Sequence, residues 1–287
     1  MQAKDQDLSA STKTHFACVF GNPIEQSKSP IIHNLFAKQF NISLNYEKKL
    51  ADADAFSKAA DQFFSSPCTI GANVTMPFKH DALAWVNELS LQAKRAGAVN
   101  TIIRTETGFR GDNTDGIGLV NDLQNHDIKL PGTRLLLIGA GGAAKGALPA
   151  LIEAGVEDII LYNRDKAKAE QLIKSTELYA PGVVQAYEKK HGDFDLIINA
   201  TSLSLNDGLP DLPDTIFETG PAIYDMVYKS QPTVFMKHAK KQGCSKILDG
   251  LGMLVEQAAH SFYLWFGVKP NTQTVFENLR DVLNNNK

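Results

Sequence analysis

The stretch Leu135-Leu-Leu-Ile-Gly-Ala-Gly-Gly-Ala-Ala-Lys-Gly146 constrains this chain more than any other. The apolar residues Leu135 to Ile138 stop at Gly139, and helix-compatible residues follow from Gly142 or Ala143. A buried strand that turns sharply into a helix through glycines leaves backbone N–H groups unpaired and points the positive end of the helix dipole outward. Such a turn holds an anion, typically the pyrophosphate of a dinucleotide. The pattern is GxGG rather than a full GxGxxG, so a plain tight turn is the competing reading at this point.

The elements around this turn repeat the same theme. Strands are expected at His15–Phe20, Leu44–Leu50, Thr69–Thr75 and Ala98–Arg104, with helices from Pro30, over Ala53–Phe64 and over Phe78–Leu89. Apolar residues at helical spacing (Ile31, Ile32, Leu35, Phe36, Phe40) mark the helix from Pro30. Four strands alternating with helices predict a mainly parallel sheet. Gly108 to Gly116 reads as a loop that opens a helix ending near His126, and Pro131-Gly132 is a break. The alternation then restarts with strand Arg134–Ile138, helix Ala143–Ala154, strand Asp158–Tyr162 and helix Asp165–Ser175. Further strands are expected at Val183–Ala186, Leu196–Asn199, Ala222–Asp225 and Lys246–Leu248, with a helix at Thr233–Gln242 among them. Two amphipathic helices, Leu251–Phe266 and Thr272–Asn284, finish the chain.

The expected fold is therefore two α/β domains with a cleft between them. Residues 14–114 with 250–287 form a first, mainly parallel domain, because the tail packs back once the second sheet is complete. Residues 115–249 form a Rossmann-like, doubly wound cofactor domain, and residues 1–13, polar with charges of both signs, a disordered extension.

Composition excludes several classes of function. A net charge of −3 lacks the basic excess of a nucleic-acid surface. No apolar run is long enough for a membrane span, and the first residues lack the apolar region of a secretory signal. The three cysteines, Cys18, Cys68 and Cys244, are far apart and form no metal-binding or disulfide pattern. A reduced, cytoplasmic protein without a metal is expected, as a monomer or homodimer acting on a small molecule.

The second strand of a doubly wound unit ends where the cofactor's ribose is recognised. Here it ends in Asn163-Arg164, with Lys168 beyond. Arg164 can stack its guanidinium on adenine and pair with a 2′-phosphate, and Lys168 can close the other side, which favours NADP. A solvated basic turn is the bland alternative. Asp165 complicates the site, since a carboxylate beside a phosphate is unfavourable unless it points away or caps the next helix.

A nicotinamide enzyme needs a proton donor or acceptor at the reacting oxygen. Lys79, in Asn73-Val-Thr-Met-Pro-Phe-Lys79, lies after a strand and inside the first turn of a Pro-started helix. Asp115, in Gly111-Asp-Asn-Thr-Asp-Gly116, precedes a helix, where it can be an N-cap, a catalytic carboxylate or both. Asp112 competes with it in the same loop. Ser27, Ser29, Asn100, Tyr228 and Gln257 are polar groups able to fix a small substrate, and each has a structural alternative as a turn, cap or packing residue.

Taken in order, these segments resemble the shikimate dehydrogenase family. The matching stretches are Phe20-Gly-Asn-Pro-Ile, Ser27-Lys-Ser-Pro30, Gly71-Ala-Asn-Val-Thr-Met-Pro-Phe-Lys79, Gly97-Ala-Val-Asn-Thr101 and Gly111-Asp-Asn-Thr-Asp-Gly116. They continue through Gly139-Ala-Gly-Gly-Ala143, Asn163-Arg164, Asn199-Ala-Thr-Ser202, Tyr224-Asp-Met-Val-Tyr228 and Asp249-Gly-Leu-Gly-Met-Leu-Val-Glu-Gln-Ala258. The resemblance implies NADP-dependent interconversion of 3-dehydroshikimate and shikimate on the route to aromatic amino acids. It implies Lys79 and Asp115 as the catalytic pair, and Ser27 and Ser29 at the substrate carboxylate. Thr75, Asn100, Tyr228 and Gln257 would bind ring hydroxyls. Gly139, Ala140, Gly141, Gly142 and Ala143 would hold pyrophosphate, and Asn163, Arg164 and Lys168 the adenosine end. Thr201, Met226 and Gly250 would meet the rest of the cofactor. The chain departs from the family pattern at Asp165, where Thr is usual, and in the delayed glycine of Leu203-Ser-Leu-Asn-Asp-Gly208. A quinate/shikimate dehydrogenase that accepts NAD, and a non-catalytic binding protein on the same fold, are the alternatives.

Overall fold

The structure, a computed structural model, describes residues 13–52, 54–190 and 192–285. The first twelve residues of the expected extension, and Ala53 at the start of an expected helix, lie outside the described residues.

Two six-stranded sheets organise the chain. The first contains β1 (His15–Gly21), β2 (Leu44–Leu50), β3 (Thr69–Val74), β4 (Glu88–Leu89), β5 (Thr101–Thr105) and β6 (Gly108–Asp112), in the order β2-β1-β3-β5-β6-β4. Only β5 runs against the others: its pairs with β3 and β6 are antiparallel, whereas β1–β2, β1–β3 and β4–β6 are parallel. The cause is local. Glu106-Thr107 is a two-residue turn, and a connection that short can join only antiparallel strands. The loop expected over Gly108–Gly116 is therefore half strand, with Gly108 to Asp112 paired against Thr101 to Thr105. Glycine, arginine and aspartate disguise it, leaving Phe109 as its only strong strand former.

Helices α1 (Ser29–Gln39), α2 (Phe56–Phe64), α3 (Lys79–Trp85) and α4 (Leu91–Ala96) belong to this half of the sequence. The helix expected to reach Leu89 stops at Trp85, because Val86 is extended at ψ 154° and Glu88–Leu89 joins the sheet as β4. Helix α4 was not expected. Ser90 caps it by accepting from the Ala93 amide, and Gly97 ends it at φ 63°, a left-handed conformation that glycine adopts without strain.

The second sheet contains β7 (Arg134–Ile138), β8 (Asp158–Tyr162), β9 (Val184–Ala186), β10 (Leu196–Asn199), β11 (Ala222–Asp225) and β12 (Ile247–Asp249). The order is β12-β11-β10-β7-β8-β9, and every pair is parallel. Counted from β7 this is the doubly wound order 3-2-1-4-5-6, whose switch point, between β7 and β10, is where such sheets bind ligands. Helices α5 (Asp115–Asn125), α6 (Gly142–Glu153), α7 (Lys166–Glu177) and α8 (Val234–Lys241) accompany it. Leu135 and Leu137 face Leu119, Ala144, Leu148 and Leu151 on one side; Leu136 and Ile138 face Phe194, Phe217 and Phe235 on the other. Burial on both faces explains the unbroken apolar strands, each Leu or Ile contributing roughly 1.5–3 kcal/mol.

The last helices, α9 (Leu251–Phe266) and α10 (Gln273–Asn285), return to the first sheet. Their Leu251, Val255, Phe262, Val275 and Leu279 form one buried cluster with Ile32, Phe36 and Ala37 of α1. Helix α5 lies between α6 and α9, and glycines make the approach possible. A Cβ on Gly116 would stand 2.5 Å from the Gly146 carbonyl oxygen, and one on Gly118 would stand 2.7 Å from the Gln257 Cβ. Two successive faces of one helix thus press on one element from each half.

Candidate functional site

Lys79 opens α3 just beyond β3, and Asp115 opens α5 just beyond β6. Strand pairing brings both ends together, and the Lys79 ammonium donates to Asp115 Oδ2 at 2.5 Å. The pair is mostly sheltered, with 28 % of the lysine side chain and 14 % of the aspartate exposed, so solvent screens it less than an ordinary surface pair. The other carboxylate oxygen, Oδ1, accepts from the Asn100 amide at 2.8 Å. The Asp115 backbone N–H is bonded to Asn113 Oδ1 at 3.1 Å. The aspartate is thereby held on three sides, and its side chain serves Lys79 rather than capping its helix. Asp112, the competing carboxylate, is buried and accepts from the Ser90 hydroxyl at 2.6 Å and the Asn113 amide at 2.7 Å. It shapes the loop and leaves the pairing with Lys79 to Asp115.

Of the other polar candidates, Asn100 touches this pair directly and Gln257 reaches it through Thr114. Ser27 Oγ donates to Ser29 Oγ at 3.2 Å, and the Ser29 amide donates back to Ser27 Oγ at 3.3 Å. The two hydroxyls lie together at the start of α1. Thr75 follows β3, with its amide bonded to the Phe20 carbonyl at 2.9 Å. Gln257, on α9, accepts from the Thr114 hydroxyl at 3.3 Å, one residue before Asp115. Tyr228 leaves the end of β11 yet packs against the cluster of α1, α9 and α10. Burial, and then the Asp249 carboxylate, raise its phenol above the ordinary range.

The glycine turn stands close by. Gly146 is one helical turn into α6 from Gly142, and a Cβ there would lie 3.3 Å from Asp115 Oδ2. The N-terminus of α6 is therefore about 6 Å along the helix axis from the level of the Lys79–Asp115 pair. Gly139 has φ 110°, a conformation that L side chains rarely adopt, and an added Cβ would meet Thr201 Cγ2 at 3.0 Å. Added Cβ atoms on Gly141 and Gly142 would enter open space, and α6 has no side-chain cap. Uncapped amides facing open space fit a pyrophosphate.

Asn163 ties this turn to the end of β8, its Oδ1 accepting from the Ala140 amide at 3.1 Å. Arg164 and Lys168 are exposed beside it. Asp165 turns its carboxylate onto the amides of Ala167 (3.1 Å) and Lys168 (3.4 Å), capping α7. Capping removes the electrostatic objection to a phosphate on Arg164. Past the switch point, Thr201 donates to Asn199 Oδ1 at 2.7 Å, and the Met226 amide donates to the Asn199 carbonyl at 3.0 Å. A Cβ on Gly250 would fall 2.1 Å from the Met226 carbonyl oxygen. Gly139, Thr201, Met226 and Gly250 thus form one continuous lip, and the residues present fit the dinucleotide expected from sequence.

Several organising residues escaped the sequence reading. Asp225 is wholly buried and accepts from Ser204 Oγ (2.6 Å), Thr233 Oγ1 (2.7 Å), Asn199 Nδ2 (3.3 Å) and the Val227 amide (3.2 Å), holding the loops after β10 and β11. Asn73, Thr101, Thr114 and Ser261 form a second buried polar cluster behind Asn100. A signal existed: Asn73 interrupts an apolar strand, and a buried polar group persists only with partners. Among the described residues, no group of three or more His, Cys, Asp and Glu side chains is placed to hold a metal ion, and no helix is long and apolar enough to cross a membrane.

The chain is similar to known proteins over most of its length. Residues 19–102 match the shikimate dehydrogenase substrate binding domain, residues 122–206 the shikimate / quinate 5-dehydrogenase family and residues 250–275 the shikimate 5′-dehydrogenase C-terminal domain. The shikimate dehydrogenase (NADP(+)) of Cellvibrio japonicus is 45 % identical over 276 residues, covering 96 % of this chain and 100 % of the relative. That of Aeromonas salmonicida is 49 % identical over 265 residues, covering 91 % and 96 %. The crystal structure of shikimate 5-dehydrogenase from Thermus thermophilus in complex with NADP(H) and shikimate superposes with a TM-score of 0.85 at 31 % identity, covering 94 % of this chain and all of that one. The chain belongs to the shikimate dehydrogenase family.

Proposed function

We propose that this protein interconverts shikimate and 3-dehydroshikimate with NADP, a step of aromatic amino acid biosynthesis in the cytoplasm. The carrying observation is the Lys79–Asp115 pair, set one helical turn from the uncapped start of α6. Within this reading residues 14–114 with 250–287 form the substrate-binding unit and residues 115–249 the cofactor unit.

The bound nicotinamide supplies the hydride acceptor, or the donor in reverse. On oxidation Lys79 acts as the free amine, Nζ taking the proton from the reacting hydroxyl to become the ammonium, and on reduction the ammonium returns that proton. Asp115 keeps the ammonium in place and accepts hydrogen bonds that a neutral residue would not hold as strongly. Ser27 and Ser29 present adjacent hydroxyls to the substrate carboxylate, while Thr75, Asn100, Tyr228 and Gln257 meet its ring hydroxyls. Gly139, Ala140, Gly141, Gly142 and Ala143 offer backbone amides to the pyrophosphate. Asn163 braces the turn, Arg164 and Lys168 hold the 2′-phosphate, and Thr201, Met226 and Gly250 line the nicotinamide side.

The test is a turnover matrix of shikimate and quinate against NADP and NAD, read as reduced-nicotinamide absorbance. Shikimate with NADP is expected to give the highest kcat/KM. No turnover in any cell of the matrix defeats the proposal, and a higher value with quinate or NAD reassigns the substrate or cofactor.

A further inference from the structure

We infer that Thr101, backed by Asn73 and Tyr46, is a positioning residue. Within a buried hydrogen-bond network its hydroxyl holds Asn100 Oδ1 and so keeps the Asn100 carboxamide aimed at Asp115. The inference rests on the reading of Lys79 and Asp115 as the reacting pair.

The direction follows from which atoms can only donate or only accept. Tyr46 Oη donates to Asn73 Oδ1 at 2.7 Å. Asn73 therefore turns its Nδ2 the other way, toward Ser261 Oγ (3.0 Å), Thr101 Oγ1 (3.2 Å) and the Asn100 carbonyl (3.3 Å). Having accepted there, the Thr101 hydroxyl donates to Asn100 Oδ1 at 2.8 Å, with Ser261 Oγ a second neighbour at the same distance. The Thr114 backbone N–H, which can only donate, reaches the same oxygen at 2.9 Å. Asn100 Nδ2 is left to serve Thr114 Oγ1 at 3.0 Å and Asp115 Oδ1 at 2.8 Å. The Thr114 hydroxyl lies within donating reach of both Asn100 Oδ1 (3.2 Å) and Gln257 Oε1 (3.3 Å), and Gln257 Nε2 donates to the Leu254 carbonyl at 2.8 Å. Asn100 Oδ1 is thus held by the Thr101 hydroxyl and the Thr114 N–H together, which leaves its Nδ2 facing Asp115.

Burial makes this direction expensive to reverse. Tyr46 is 5 % exposed, Asn73 7 %, Asn100 3 %, and Thr101, Thr114 and Ser261 0 %. Water does not replace a lost partner there, and chained donors polarise one another in such surroundings. The far end is clamped too: the Tyr46 ring stacks on His33 with centroids 4.4 Å apart and planes within 6°.

Thr101→Val keeps the shape and removes the proton; Thr101→Ser keeps the hydroxyl. With shikimate and NADP, Thr101→Val is expected to lower kcat at least about tenfold, the order of one buried charge-linked hydrogen bond. KM for NADP should stay within about twofold, and Thr101→Ser should recover most of kcat. A Thr101→Val kcat within about twofold of the parent, or a Thr101→Ser protein as slow as Thr101→Val, overturns the inference. Should Thr101→Val not fold, Tyr46→Phe removes the donor to Asn73 Oδ1, and with it part of the support behind Thr101, without changing ring shape; an unchanged kcat there overturns it equally. A parent protein without shikimate turnover sinks the functional reading and this inference together; an active parent with an indifferent Thr101→Val sinks the inference alone.

Discussion

The two halves of the site are built by opposite means. At the Lys79 end, position is set by side chains: Asp115 is held by Lys79, Asn100 and the amide bonded to Asn113, with a buried polar network behind them. At the glycine end, position is set by backbone. Gly139 takes a left-handed φ, Gly141 and Gly142 leave open space, and the only charged side chains the reading uses, Arg164 and Lys168, are exposed. The difference suits the two tasks of the proposed function: proton transfer at one atom calls for a closed, side-chain-held position, and a long dinucleotide met over many weak contacts for an open one.

The contrast can be broken at its strongest point first. Lys79→Ala is expected to lower kcat about a thousandfold while raising KM for shikimate far less, since it removes proton transfer more than binding. Steady-state kinetics with shikimate check this, and an unchanged kcat removes Lys79 from the mechanism. The closed half should also show in stability against pH. His33 is wholly buried beside Tyr46 and Trp265, and burial lowers its pKa from 6.5 to about 3. Its folded value lies below its unfolded one, so the stability it contributes is complete above about pH 6.5 and is lost as pH falls toward about 3, where only the unfolded chain takes up the proton. Denaturant unfolding at pH 7 and pH 5 should differ by about 2 kcal/mol less in His33→Phe than in the parent. Equal pH dependence in both proteins rejects this account of His33.

The open half should respond more weakly and more selectively. Arg164→Ala is expected to raise KM for NADP about tenfold and to leave KM for NAD nearly unchanged, because the lost partner is a phosphate that only NADP carries. Equal effects on both cofactors dismiss the 2′-phosphate role. Asp165→Ala should cost about 1 kcal/mol of stability through the lost cap of α7, with the NADP-to-NAD preference retained. A preference that shifts strongly would show that the carboxylate acts on the cofactor rather than on the helix.

Local chemistry made much of this legible. Apolar runs broken by glycine and proline placed the strands of the second sheet almost residue for residue, because strands buried on both faces must be continuously apolar. The glycine turn, the basic pair after β8 and the lysine and aspartate at two helix starts were likewise visible as residue types in local context. Strand Gly108–Asp112 and helix Leu91–Ala96 were not, since one owes its form to its hairpin partner and the other to a cap and a left-handed glycine.

What the sequence by itself determined is the alternation, the glycine turn and the lysine and aspartate at two helix starts, each decided by interactions within a few residues. What only the tertiary structure decided is their company. Lys79 and Asp115 stand 36 positions apart, and their contact depends on β3 and β6 being held in one sheet through β5. Asn73 finds Ser261 across 188 positions, because α9 returns to the first sheet after the second is complete. Local propensity carries no information about such pairings. Packing does: the apolar faces of α1, α9 and α10 must be buried together, and that burial sets the polar network behind the Lys79–Asp115 pair.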